Sequence, residues 1–113
     1  MKKVISFKWW KCCIKFGRYS NGRIAMQLYN DESLHEGEYA SEPGTMLIAT
    51  ATVNVVDLEK LADDEVLIKN YSENEGMLEC LIKAGMISEP LGIVRTGFVT
   101  VARCKLLVKP NFE

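Results

Sequence analysis

The sequence predicts a single α+β domain over residues 1–113, with a curved antiparallel sheet of about five strands and one helix packed on one face. The predicted order of elements is β-β-β-β-α-β. Three observations support this order: strand-like alternation in the first thirty residues, one amphipathic helical pattern near residue 72, and renewed alternation near the end of the chain. A chain of 113 residues buries about two thirds of its unfolded surface, enough for one unaided core.

The first thirty residues predict a β-hairpin. Asn21-Gly22 is a strong signal for a tight turn between two strands. In the strands before and after this turn, the residues predicted to face the core occupy every second position: Trp10, Cys12, Ile14, Phe16, Ile24, Met26 and Leu28. Ile5, Phe7 and Trp9 continue on the other parity, which predicts a bulge at the Trp9-Trp10 step.

The middle of the chain predicts a long loop and two more strands. Residues 30–44 are rich in acids and lack apolar periodicity, and a loop of this length is usually functional or mobile. Alternation over residues 47–55 predicts the third strand, with its threonines facing outward. Residues 65–69 form a short apolar run typical of a fourth strand.

The helix is expected to begin at Ser72. Ser72 and Glu75 have the spacing of a capping box, in which each side chain accepts a hydrogen bond from the other residue's backbone amide. Apolar residues follow at helical spacing, and Gly85 is a natural left-handed stop. Gly76 falls inside this predicted helix, where glycine costs about 1 kcal/mol, so a close approach by another backbone or a partner is expected there.

The last strand is predicted over residues 98–108. The preceding Gly92 to Gly97 segment has the glycine spacing of a phosphate-binding loop. However, Phe98 and Val99 occupy the positions that need lysine and a hydroxyl residue. The segment is therefore interpreted as a turn before a strand.

No catalytic, metal or cofactor site is predicted. The four cysteines lack a Cys-x-x-Cys pair and are expected to be buried, reduced thiols in a cytoplasmic protein. His35 is the only histidine and lies in the acidic loop without evident catalytic partners. That loop also fails a calcium-site template, because Glu36 stands where glycine is needed. No apolar run approaches the about 20 residues that span a bilayer.

Charge is sorted along the chain although the net charge is only −1. Residues 1–30 carry seven basic residues and no acid, residues 31–90 have a balance of −11, and residues 91–113 a balance of +3. Such sorting can give a folded surface opposed poles that favour charged partners.

Two surfaces are candidate binding sites. The first is the acidic loop, expected to contact a basic partner through Asp31, Glu32, Glu36, Glu38 and Glu42. The second is the basic hairpin, whose lysines and arginines accompany aromatic residues in the way that single-stranded nucleic acid favours. Its candidate residues are Lys8, Lys11, Lys15, Arg18 and Arg23.

Four stretches together resemble a family of short, uncharacterised proteins carried on plasmids, conjugative elements and phages of gut bacteria. They are residues 19–25, 49–54, 64–85 and 96–99, and the most recognisable part runs from Lys69 to Leu78. The resemblance spans residues 16–107. Members of that family have a shorter connection where this chain has residues 30–44. The resemblance transfers no catalytic residue, but it implies an accessory protein that blocks a host defence machine.

The leading hypothesis is a non-enzymatic inhibitor of a host nucleic-acid-targeting complex. Its concrete form is an anti-CRISPR protein that blocks a Cas effector nuclease through the acidic loop. One alternative is a nucleic-acid-binding accessory protein that uses the basic hairpin. Another is a homodimer joined by sheet edges. No cofactor and no membrane partner are expected.

Overall fold

The computed structural model describes residues 4–31, 42–55, 58 and 60–112, and within them it confirms an α+β fold. The described residues form seven strands and one α-helix, preceded by a single 3-10 turn at Ser72–Asn74. The elements are β1 (Val4–Phe7), β2 (Trp10–Arg18), β3 (Ile24–Asn30), β4 (Leu47–Thr50), β5 (Glu65–Ile68), α1 (Met77–Lys83), β6 (Gly92–Thr96) and β7 (Val99–Lys105). The described strands are more numerous than the about five predicted, and they divide into two antiparallel sheets, ordered β1-β2-β3-β4 and β5-β7-β6.

The first sheet begins with a tight turn that replaces the predicted bulge. Phe7 pairs with Trp10, so Lys8 and Trp9 form a two-residue connection between β1 and β2. Lys8 has a φ of 55°, the left-handed conformation that such a turn requires. The parity change in the sequence therefore comes from a reversal of the chain and not from an extra residue.

The hairpin predicted around Asn21-Gly22 is confirmed. Arg18 pairs with Ile24, and the Tyr19 amide donates to the Arg23 carbonyl at 2.8 Å to close the turn. Gly22 has a φ of 86°, which explains the glycine there. Of the residues predicted to face the core, Cys12, Ile24, Met26 and Leu28 are buried. Trp10, Ile14 and Phe16 on the same face of β2 are half-buried and pack against that core.

The chain crosses from the first sheet to the second after β4. The predicted strand over residues 47–55 ends at Thr50, and Thr52 forms a bridge with Ile68 of β5. Thr52 was expected to face solvent but is buried, and its hydroxyl oxygen accepts a hydrogen bond from the Met26 amide at 3.1 Å. Thr52 thus joins the two sheets, because its side chain bonds to β3 and its backbone pairs with β5.

The second sheet contains a strand that the sequence did not predict. β6 pairs with β7 from Gly92↔Arg103 to Thr96↔Val99, so Gly97 and Phe98 form the turn of a hairpin. The segment interpreted as a turn before a strand is therefore itself a strand. The final strand begins one residue later than predicted and ends earlier, at Lys105.

The capping box predicted for the helix was wrong. Ser72 has a φ of 55° and lies in the 3-10 turn, whereas α1 begins after Gly76. The Leu78 amide instead donates to Asn70 Oδ1 at 2.8 Å. Gly76 has a φ of 94°, and a Cβ added to it would have no atom within 4 Å. Its left-handed backbone conformation therefore explains this glycine, and the predicted close approach of another backbone is not observed among the described residues.

The helix packs on the core between the two sheets. Met77 and Leu81 are fully buried among side chains from both sheets, and the Cys80 thiol donates to the Ser6 carbonyl of β1 at 2.9 Å. Gly85 has a φ of 75° and ends the helix as predicted. Within the described ranges, no helix has the length and apolar character needed to cross a membrane.

Candidate functional site

The acidic segment is defined here as residues 31–42, and both of its ends lie near strand β2. The structure describes its two ends, Asp31 and Glu42. Glu32, Glu36 and Glu38, which the sequence also nominates for partner binding, lie outside the described residues.

Asn30 joins the two ends of the acidic segment. It is the last residue of β3, and its side chain is fully buried on the face that also carries Met26 and Leu28. Its side-chain amide donates to the Glu42 carbonyl at 2.8 Å, and its Oδ1 accepts from the Thr45 and Met46 amides at 3.0 and 2.8 Å. One buried side chain therefore bridges the residue before the segment and the residues at its far end.

Backbone hydrogen bonds reinforce this closure. The Asn30 amide donates to the Met46 carbonyl at 3.0 Å, and the Gly44 amide donates to the Asn30 carbonyl at 2.6 Å. Gly44 has a φ of 81°, a conformation that favours glycine. The Thr45 hydroxyl donates to the Glu42 carbonyl at 2.6 Å and fixes the returning turn. Together with Asn30, these residues form what we call the Asn30 clasp: Asn30, Glu42, Gly44, Thr45 and Met46.

Two of the predicted nucleic-acid-binding lysines belong to the strand beside the clasp. The Asp31 amide donates to the Lys11 carbonyl at 2.9 Å. Lys15 Nζ donates to the Gly44 carbonyl at 2.6 Å and lies 4.3 Å from the centroid of the Tyr29 ring. The basic strand and the base of the acidic segment therefore adjoin each other, and do not form distant poles.

The other predicted basic residues also contact the protein itself. Arg18 donates to the Gly22 carbonyl at 2.9 Å and lies 4.1 Å from the Phe112 ring centroid. Arg23 donates to the Val55 carbonyl at 2.7 Å and to the Leu58 carbonyl. These guanidinium groups hold the β2–β3 turn against neighbouring chain segments.

Lys8 lies apart from these groups, at the turn between β1 and β2. Its Nζ donates to the Glu73 carbonyl at 2.9 Å. Trp9 beside it is 79% exposed, and its ring centroid lies 6.1 Å from that of Trp10. The Lys8 ammonium is thus held at the 3-10 turn and not at the clasp, while nucleic-acid binding by the hairpin stays a prediction.

The described thiols have the properties of buried apolar groups. Burial raises the pKa of Cys12 and of Cys104 to about 11, and burial also raises the pKa of Cys80. These groups are therefore protonated at neutral pH and poorly suited to nucleophilic attack. In the part of the chain that the structure describes, no cluster of three or more His, Cys, Asp or Glu side chains could hold a metal ion.

A separate shallow cleft of about 550 Å³ lies next to the second sheet. Its lining residues are Lys60, Leu61, Ala62, Glu65 and Arg103. Arg103 Nη1 donates to Glu65 Oε2 at 2.6 Å, and Glu65 Oε1 accepts from the Ala62 amide at 3.1 Å. The polar groups of this cleft therefore largely satisfy one another.

Sequence reasoning identified the acidic residues but missed the clasp that closes their segment. The available signal was Asn30 itself, which continues the inward-facing parity of Met26 and Leu28 although its side chain is polar. A buried amide needs hydrogen-bond partners, and here those partners come from the other end of the loop.

Comparisons with known proteins identify no relative: no family model, no curated protein and no solved structure matches this chain.

Proposed function

We propose that the protein is a non-enzymatic accessory protein of a mobile genetic element that inhibits a host nucleic-acid-targeting defence complex. In its concrete form it is of the anti-CRISPR type and blocks a Cas effector nuclease. The acidic segment would occupy a basic surface that otherwise receives nucleic acid. Carboxylates attract such a surface by the same electrostatics that attract phosphates.

The observation that carries this proposal is the Asn30 clasp. A flexible loop that binds a partner loses conformational entropy, and fixing its two ends beforehand reduces that loss. The fully buried Asn30 side chain makes three hydrogen bonds with residues 42, 45 and 46. An acidic segment anchored in this way suits insertion into a basic channel.

Two further observations favour binding by the acidic segment. The thiols with raised pKa values are poor nucleophiles, which favours binding over cysteine-based catalysis. Lys8, Lys15, Arg18 and Arg23 each donate to a carbonyl of the same chain, so phosphate contacts would compete with those bonds. Nucleic-acid binding and homodimer formation remain the alternatives.

The test is an inhibition assay with purified Cas effector nucleases loaded with guide RNA. Each effector is incubated with graded amounts of protein before a labelled target DNA is added, and cleavage is followed over time. We expect at least one effector to be inhibited by the wild-type protein. Changing Glu36→Lys together with Glu38→Lys should weaken that inhibition about tenfold or more, because attraction to a basic channel becomes repulsion.

A matched control changes two exposed acids outside the segment, Asp63→Lys with Glu89→Lys, and has the same net charge as the test variant. This control should inhibit as the wild type does. Equal inhibition by the wild type and the Glu36/Glu38 variant would exclude the acidic segment as the contact. A mobility shift of free DNA or RNA at low salt, lost when Lys11 and Lys15 are changed to glutamine, would favour the nucleic-acid alternative.

A further inference from the structure

The β6–β7 hairpin extends beyond the core and carries exposed apolar side chains. Phe98 at its turn is fully exposed, Ile93 is 72% exposed and Leu91 is 50% exposed. Ala102, which pairs with Ile93, is half-buried and packs against the core. The hairpin therefore runs from the core at Ala102 toward solvent at Phe98. Exposed apolar residues grouped in this way mark interaction sites more often than single ones do.

The outer edge of β6 is open among the described residues. In the second sheet β6 pairs with β7 alone, and no isolated bridge joins it to another described segment. An edge strand presents unpaired amide and carbonyl groups to which another strand can bond. Arg103 of β7 pairs with Gly92 at the start of β6, and its guanidinium donates to Glu65 of β5 at 2.6 Å and not to the open edge.

Charge on this hairpin has a single sign. Between Pro90 and Ala102 the only ionisable side chain is Arg95, and the sequence has no acid between Glu89 and Glu113. Arg95 is exposed and forms neither a hydrogen bond nor an ion pair with another described residue. Strand alternation places Arg95 on the same face as Ile93, next to the Thr100 with which it pairs.

We infer that β6 is a docking edge for an extended peptide segment of another protein that alternates acidic and apolar residues. The segment adds to the sheet as an antiparallel or parallel strand and uses the open backbone groups of β6. A carboxylate of the segment pairs with Arg95, and its apolar side chains contact Ile93 and Phe98. This site is independent of the acidic segment and of the inhibitory function proposed above.

An acidic strand fits this edge better than a second copy of the same chain. In a symmetric pair, two β6 strands would bring two cationic hairpins together without an acid to offset them. The exposed apolar side chains are also few: each partner of a stable interface buries about 800 Å², and a phenylalanine contributes about 150–250 Å². A single peptide strand requires a smaller surface.

The test uses three fluorescent octapeptides with blocked termini. In the first, glutamate alternates with valine; in the second, lysine replaces glutamate; the third is the glutamate peptide with alternate backbone amides methylated. Binding to the full chain is measured by fluorescence anisotropy, and the site is located by amide chemical-shift changes. We expect the glutamate peptide to bind about tenfold or more tightly than either of the others, with shifts centred on residues 91–98.

Two protein variants complete the test. Arg95→Glu should reverse the preference so that the lysine peptide binds better, whereas Lys109→Glu, an exposed change outside the hairpin, should not. Both variants should unfold within about 2 °C of the wild type, since neither side chain has a described partner. Equal binding of the methylated peptide, or shifts away from residues 91–98, would refute strand addition at β6. A dimer in light scattering that dissociates with Phe98→Asp would show instead that a second copy occupies the edge.

Discussion

Replacing Asn30 with alanine tests whether the clasp holds the base of the acidic segment. The substitution removes three hydrogen bonds at once, from the side-chain amide to the Glu42 carbonyl and from the Thr45 and Met46 amides to Oδ1. It leaves the backbone bonds between Asn30 and Gly44 or Met46 in place. The change therefore isolates the contribution of the side chain.

The expected cost follows from these bonds. A typical intramolecular hydrogen bond contributes about 1 kcal/mol, and a buried group left without a partner costs more. Three bonds from a fully buried side chain thus predict a loss of about 3 kcal/mol in the free energy of unfolding. This is a large part of the about 5–15 kcal/mol that stabilises a domain. With a urea m-value of about 1–3 kcal/mol/M, the unfolding midpoint should fall by about 1–3 M.

The assay has two readouts. Urea unfolding followed by tryptophan fluorescence gives the global loss. Limited digestion with a glutamate-specific protease under native conditions reports opening at the base of the segment, and cleavage should be about tenfold faster in the variant than in the wild type if the clasp opens locally.

Asn21→Ala is the matched control. Asn21 also makes two side-chain hydrogen bonds, to Asn54 at 3.1 Å and from the Arg23 amide at 3.3 Å, but both are exposed to water. Its loss should stay below about 1 kcal/mol. A loss in Asn30→Ala no larger than in Asn21→Ala, with unchanged proteolysis, would refute the clasp.

Three further perturbations test the fold. Gly76→Ala should lower the free energy of unfolding by about 1–2 kcal/mol because of the φ of 94°, whereas Gly17→Ala should change it by less than about 0.5 kcal/mol; equal effects in chemical denaturation would contradict this account. The pKa of Cys12 is raised from its ordinary value of 9.0 to about 11, so the thiol's contribution to stability is complete below pH 9 and is lost as the pH rises to about 11. Between these pH values the free energy of unfolding of Cys12→Ala should fall by about 2–3 kcal/mol less than that of the wild type, and an equal fall would exclude the buried thiol as its source. Arg103→Ala leaves the partly buried Glu65 without its ion-pair partner and should lower the free energy of unfolding by about 1–2 kcal/mol. A double-mutant cycle with Glu65→Ala should give a coupling energy of about 1 kcal/mol, and zero coupling would mean that the ion pair does not stabilise the fold.

The sequence predicted the β2–β3 hairpin well because local and tertiary preferences agree there. Alternation places one face of both strands in the core, and Asn21-Gly22 supplies the turn. β6 was missed because its residues alternate between half-buried and exposed positions without a matching alternation of apolar and polar residue types. Its single charge, Arg95, and its exposed Ile93 fall on the same face. An edge strand that extends past the core carries little periodic signal.

The helix start shows how tertiary contacts override a local motif. Ser72 and Glu75 have the spacing of a capping box, but the buried Asn74 donates to the Thr50 carbonyl at 2.7 Å and holds this turn against β4. The chain then needs the left-handed conformation of Gly76 before α1 can begin. A spacing rule cannot include a contact with a residue 24 positions away.

The arrangement of charge at the candidate site determines which acids are worth testing. In sequence, the basic and acidic blocks are separate, which predicts opposed poles. In the fold, Asp31 is bonded to the backbone of Lys11, and Lys15 lies on the carbonyl of Gly44 beside the clasp. The Lys15 ammonium, so close to the returning end of the segment, reduces the field that the acid at this end, Glu42, presents to a partner. The proposed attraction to a basic surface therefore depends mainly on the acids farther along the segment, so reversing Glu36 and Glu38 is the decisive change.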